Sequence, residues 1–146
     1  MRFKRTLIVI IVVLLIYGIN RWYDYREKNL AEILDANKVT AVYFNIRPFE
    51  EDKAFNRKIV NETSIKVLTE FFSLYTVKKT GSRNFLSKYP EEQFTFQLEY
   101  SDQRITVPNL IERDVALIGM DQYDIINEPI DYKWLEDYLA KHGQKF

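Results

Sequence analysis

Apolar and polar residues along the chain fall into two regimes. The first is one long block: Thr6–Ile19 is a 14-residue run without a charge, preceded by Arg2, Lys4 and Arg5 and followed by Trp22 and Tyr23. After it the pattern becomes periodic. "DYREKNLAEILDAN" sets Leu30, Ile33 and Leu34 at helical spacing, with Asn37 as its expected C-cap. "KVTAVYFNIRP" is dense in β-branched and aromatic residues on both alternating sets, which predicts a strand buried on both faces and ended by Pro48. "FEEDKAF" reads as a polar connection and "NRKIVN" as a short second strand. "ETSIKVLTEFFSLY" places Ile65, Leu68, Phe72 and Tyr75 on one stripe, with Val67 and Phe71 beside it and Thr63 or Ser64 as N-cap.

The remaining half continues in short pieces. "TVKKTGSRNFLSKYP" reads as a basic segment with turn-forming residues. In "EEQFTFQLEYSDQRITVPNL", Phe94, Phe96, Leu98 and Tyr100 alternate with polar neighbours, "SDQ" turns, and Ile105 and Val107 return, the signature of a hairpin. "RDVALIGMDQYDIINEP" predicts a strand broken at Gly119 and another at Tyr123–Ile126. "DYKWLEDYLAKHG" is a helix capped by Asp131, striped by Trp134, Leu135, Tyr138 and Leu139, and stopped by Gly143. Hairpin-spaced strands with two good helices predict an α+β domain, an antiparallel sheet covered by one central and one C-terminal helix. The expected division is 1–23 for the basic n-region and anchor, 24–37 for a helical stalk, and 38–146 for the domain.

The opening block decides where the domain works. Fourteen apolar residues suit a signal peptide, whereas a spanning helix needs about 20. Cleavage requires small residues in an Ala-x-Ala-like arrangement, and Gly18 is the only small residue near the end of the run. Counting to Tyr23 gives 18 residues, roughly 27 Å at 1.5 Å per residue, close to the ~30 Å hydrocarbon core. Trp22 and Tyr23 then fall at the membrane interface, where amphipathic rings are favoured. The reading is an uncleaved signal anchor, with a cleaved signal peptide as the alternative. Arg2, Lys4 and Arg5 stand upstream without an acid; Arg21, Arg26 and Lys28 stand downstream, diluted by Asp24 and Glu27. That balance favours the N-terminus inside and the domain extracytoplasmic.

Charge narrows the partners. The 21 Lys and Arg balance the 21 Asp and Glu, but residues 1–23 hold four of the former and none of the latter. The rest therefore carries 17 basic against 21 acidic residues, a net of −4. Sequence-independent nucleic-acid binding needs the opposite sign and is excluded. With no Cys, an acylated lipoprotein site is ruled out; with a single His besides, zinc and redox sites are too. Four glycines form no phosphate-binding loop, so no cofactor is expected.

Three groups of residues could carry chemistry. His142, at the last turn of a helix, reads as a surface residue compatible with the helix dipole rather than as a general base. Asp121, Asp124, Glu128 and Asp131 gather oxygens that Ca²⁺ could use, although the DxDxDG-like loop pattern is absent and Asp131 is wanted as a cap. Lys78, Lys79, Arg83 and Lys88 form a basic stretch with Phe85 and Tyr89 interleaved. They are the candidate contact for an anionic wall polymer, a headgroup or an acidic envelope protein.

The chain resembles small uncharacterised membrane-anchored proteins and lipoproteins of Gram-positive bacteria. The likeness lies in the anchor, two strands, and an "I..L...L" helix followed by "KKT..S......P", matched by Ile65, Leu68, Phe72, Lys78, Lys79, Thr80, Ser82 and Pro90. It spans about residues 38–130 and departs from the lipoprotein members in lacking the acylated Cys. What it implies is a compact extracytoplasmic domain without known catalysis. Two function classes follow: a non-enzymatic membrane-tethered interaction domain at the cell envelope, and an envelope hydrolase or calcium-dependent protein using Asp121–Asp131.

Overall fold

A nine-stranded antiparallel sheet forms the body of the protein, with the helices of its core packed on one face. The computed structural model describes residues 2–45, 55–81 and 84–145; Pro48, most of the expected connection at 49–55, and Arg83 lie outside them. The long helix α1 (Arg2–Tyr25) leads into β1 (Lys28–Asn29) and the single turn α2 (Leu30–Ile33). Then come β2 (Val39–Phe44), β3 (Arg57–Ile59), the helix α3 (Glu62–Ser73) and β4 (Thr76–Lys79). A meander follows: β5 (Gln93–Tyr100), β6 (Asn109–Glu112), β7 (Val115–Ile118) and β8 (Asp121–Ile125). Helix α4 (Tyr132–His142) and β9 (Gln144–Lys145) close the chain. The spatial order is β1-β4-β8-β7-β6-β5-β2-β3-β9.

Register explains the core. On β5, Phe94, Phe96, Leu98 and Tyr100 all point to the helix face and are buried. Phe96 pairs with Phe44 and Leu98 with Val42 across the β5–β2 ladder. Phe94 pairs with Ile111, Ile111 with Ala116, and Ala116 with Tyr123. Partners in a ladder share a face, so one apolar row runs across the sheet and is covered by α3 and α4. The turn between β7 and β8 needs Gly119, whose φ of +60° favours glycine.

Helix α3 starts two or three residues earlier than Thr63 or Ser64 as N-cap would place it. Asn61 is the N-cap, its Oδ1 accepting from the Ser64 amide at 3.0 Å. The expected stripe of Ile65, Leu68 and Phe72 is buried, together with Phe71. α4 begins as expected, with Asp131 accepting from the Trp134 amide at 3.0 Å. It lies beside α3 through stacked Phe71 and Trp134 rings, 4.1 Å between centroids. Gly143 lets its end approach the sheet: a Cβ there would sit 2.5 Å from Phe44 Cζ and 2.7 Å from the Leu139 carbonyl oxygen.

Residues 24–37 do not form a separate stalk. Leu30 and Leu34 are fully buried in the core, α2 stops after one turn, and Asp35 at φ 49° replaces the expected Asn37 cap. This stretch also serves the C-terminus of α3, whose last carbonyls have no partner within the helix. Asn29 Nδ2 donates to the Ser73 carbonyl, the Leu30 amide to the Tyr75 carbonyl at 2.9 Å, and Asn127 Nδ2 to the Leu74 carbonyl at 2.8 Å.

If α3 is the keystone, truncating its centre is costly. Leu68, 2% exposed, and Phe72, 3% exposed, sit where the stripe meets the sheet. Leu68→Ala should lose about 2–5 kcal/mol and Phe72→Ala about 3–5 kcal/mol, a large share of the ~5–15 kcal/mol available to a domain. Denaturant titration of the full chain in detergent checks this, and an unchanged midpoint for either variant would refute it.

Candidate functional site

Three neighbourhoods hold the charged and polar side chains that function could use: the junction of α1 with the sheet, the underside of the meander, and a cleft between α3 and α4.

At the junction, Lys79 is central. It pairs with Tyr123 in the β4–β8 ladder and so stands on the helix-covered face, at the rim where α1 ends. Its Nζ contacts Asp121 at 3.0 Å and Asp24 at 3.1 Å, and lies 5.9 Å from the Tyr25 ring centre. Asp121 belongs to the sheet and Asp24 to α1, so one ammonium ties the helix to the domain. Hydrogen bonds from Lys79 to Asp121 and then Asp24 raise its pKa above the ordinary lysine value. Next to it, the Tyr23 ring carries two cations, the Arg26 guanidinium 4.2 Å and the Lys28 ammonium 4.9 Å from its centre.

The basic and acidic segments therefore meet each other. Lys78 points away from Lys79, as neighbours on a strand do, and is exposed opposite Asp124 in register. Lys88 is exposed, with its amide bonded beneath the meander. The four candidate basic residues do not converge among the described residues, and Arg83 falls outside them. Of the acidic set, Asp121 is engaged by Lys79 and Asp131 caps α4, while Asp124 and Glu128 are exposed. Among the described residues no three carboxylate or imidazole groups come together as a metal site would require.

Beneath the meander lies a buried carboxylate that sequence reasoning missed. Glu112 and Gln93 are register partners on the face opposite the core, yet Glu112 is 2% exposed because the loop before β5 folds over it. Glu112 Oε1 accepts from the amides of Lys88 at 2.6 Å and Tyr89 at 2.8 Å, and Oε2 accepts from Gln93 Nε2 at 2.6 Å. Arg113 closes the other side, over the Tyr89 ring at 4.4 Å and 3.2 Å from Glu92. This is a peg that shapes a loop, with no room for a substrate.

The third neighbourhood is an open cleft of about 680 Å³ between the N-terminus of α3 and the C-terminus of α4, lined by Asn61, Ser64, Val67, Tyr138, Lys141 and His142 among others. Trp134, Tyr138 and His142 recur every fourth residue, so their rings stack along one face of α4, with centroid separations of 4.9 and 4.4 Å. That ladder brings Nδ1 of His142, expected as a surface residue of the last turn, to 3.4 Å from Ser64 Oγ. The i,i+4 spacing was the available signal. The pair falls short of a nucleophile and base in three respects. Ser64 is 8% exposed, its Oγ is shared with Asn61 Oδ1 at 3.3 Å, and no described carboxylate holds the imidazole.

Compared with known proteins, the chain matches no family model, no curated protein and no solved structure.

The Glu112 peg makes a pH prediction. Burial pushes its carboxyl up, but the hydrogen bonds from Gln93, Tyr89 and Lys88 outweigh burial and hold it below the ordinary glutamate range. A carboxyl with a lowered folded pKa contributes stability that is present above its unfolded value, about 4.3. That contribution disappears as pH falls through the folded value. Glu112→Gln should therefore cost about 1–3 kcal/mol at neutral pH, and the gap to wild type should narrow at a pH below the unfolded value of about 4.3. Urea titrations at both pH values test this; a gap that stays constant would contradict it.

Proposed function

We propose that this is a non-enzymatic, single-pass membrane protein that presents a small interaction domain at the cell envelope. In this reading α1 stays in the bilayer as an uncleaved signal anchor, with the N-terminus inside and the domain extracytoplasmic. One observation carries it: α1 is a membrane-length apolar helix that runs without a break into the fold. From Arg5 to Tyr25 it is long and apolar enough to cross a membrane, and none of it is buried against the domain. Twenty-one residues at 1.5 Å each reach roughly 32 Å, the thickness of the hydrocarbon core. Only Arg26 and Glu27 separate the helix from β1, and Asp24 already contacts Lys79.

That continuity argues against removal of the segment. A signal peptidase cuts an accessible segment with small residues. Here the matching positions are helical, carry Trp22 and Tyr23, and adjoin residues the domain uses. Loss of Asp24 would leave Lys79 with Asp121 alone among its two carboxylates. The exposed Lys78 and Lys88 are the side chains from which an acidic envelope protein or an anionic wall polymer would be met, and the resemblance to small membrane-anchored proteins of Gram-positive bacteria points the same way.

The reading is tested by the intact mass of protein extracted from membranes. The full-chain mass is expected; a product beginning near Asn20 or Asp24 would overturn the anchor. Protease added to wall-stripped cells should digest the domain, and complete protection would reverse the orientation.

A further inference from the structure

The two cations on the Tyr23 ring are not accounted for by the fold. Most charged groups at the junction have a counter-ion that explains their position: Lys79 lies between Asp24 and Asp121, and their separations are 3.1 and 3.0 Å. Arg26 and Lys28 differ. Arg26 has one loose contact, Nη2 to Glu32 Oε1 at 3.5 Å, while its Nε is buried with no hydrogen-bond partner. Lys28 has no ion pair among the described residues, and its neighbour Glu27 is exposed. Both charges nevertheless converge on one ring, at 4.2 and 4.9 Å from its centre. An anion beside the ring would supply the counter-charge that Lys28 lacks among the described residues and that Arg26 meets only loosely.

The position of this pair identifies the anion. Lys28 is the register partner of Val77, so its side chain leaves the sheet on the face where α1 arrives. Arg26 follows the last turn of α1, and Arg21 lies one turn back, 5.3 Å from the Tyr25 ring and 3.3 Å from the Tyr17 hydroxyl. Trp22 and Tyr23 mark the level at which amphipathic rings sit in a bilayer. Headgroup phosphates lie just beyond that level, which is where Arg26 and Lys28 stand. The backbone holds them there, since Lys28 is paired with β4 and Leu30 is buried.

We propose that Tyr23, Arg26 and Lys28 form a binding site for the phosphate of an anionic phospholipid in the leaflet from which the domain emerges. Arg26 supplies the charge and the outer nitrogens of its planar fork, Lys28 supplies a point charge, and the Tyr23 ring keeps both side chains in place. The lipid's glycerol and acyl chains run back along α1 beside Trp22 and Ile19, both exposed and apolar. Glu32 competes for Arg26, so the site selects a lipid from the bilayer without binding it irreversibly. The inference rests on α1 spanning the membrane.

The test uses the full chain in nanodiscs made of equal parts phosphatidylglycerol and phosphatidylcholine, with native mass spectrometry of the lipids that remain bound. Wild type should retain phosphatidylglycerol over phosphatidylcholine by about five-fold or more, as ~1 kcal/mol per cation near an anionic surface implies. Lys28→Gln alone, which leaves the Arg26–Glu32 contact intact, should lower that preference, and Arg26→Gln with Lys28→Gln should abolish it. Lys28→Arg should keep it. Incorporation into discs with no preference would overturn the site and leave the anchor standing. Failure to enter discs at all would overturn the anchor and the site with it. Equal loss of bound lipid on adding millimolar inorganic phosphate would reassign the cations to a free anion and overturn the lipid proposal.

Discussion

Two residues join the apolar helix to the sheet, and this short span constrains the rest of the structure. α1 ends at Tyr25 and β1 begins at Lys28, so Arg26 and Glu27 are all the slack available. A flexible linker gains reach with length; two residues bounded by a helix and a paired strand allow almost none. On the proposed reading, the position of the bilayer fixes the position of the sheet. Lys79 reinforces this from the other side: its hydrogen bonds reach a carboxylate of the helix and one of the sheet with a single charge. Individually such partly exposed pairs contribute little, of the order of 0–1 kcal/mol. Their value lies in fixing an angle that the backbone has already restricted.

The same junction is continuous with the core. β4 presents Val77, fully buried, to the interior and Lys79 to α1, while its register partner β1 hands the chain directly to Leu30. Asn29 and Leu30 satisfy the last carbonyls of α3, the helix on which the apolar row of the sheet depends. The chain just after the apolar block therefore caps the central helix, forms the edge strand beside β4 and fills the core within three residues. A domain cut free before Lys28 would keep its core and the hydrogen bonds from Asn29 and Leu30, but lose Asp24, one of the two carboxylates on Lys79. Residues 28–34, expected as part of a stalk, are thus built into the sheet and core.

Much of this was legible in the sequence, and the rest was hidden for identifiable reasons. The stripe Ile65–Leu68–Phe72, the alternation on Phe94–Tyr100 and the caps at Asp131 and Gly143 are strong local signals, and each sits where its period places it. β4 was not legible because "TVKK" has one apolar residue to show alternation, and its pairing depends on β8, over 40 residues away. β1 and β9, two residues each, are too short for any period. The return strand of the expected hairpin begins at Asn109, leaving Ile105 in a single bridge and both Ile105 and Val107 exposed, because apolar type alone does not specify burial. Among candidate site residues, the basic and acidic segments read as separate groups; only tertiary structure brings Lys79 to Asp121. Glu112 and the Ser64–His142 contact had no motif, and they arise from a loop folding back and from two helix ends meeting.

The central claim is that α1 and the sheet form one continuous ordered unit, and amide hydrogen exchange of the full chain in lipid nanodiscs measures it most directly. The account predicts slow exchange from the membrane helix through Tyr25, with protection resuming at Leu30, whose amide donates to the Tyr75 carbonyl. At most the four residues between them, Arg26 to Asn29, should exchange fast. A freely exchanging stretch from about Trp22 through Leu34, beside a protected sheet, would mean a flexible tether and would contradict it.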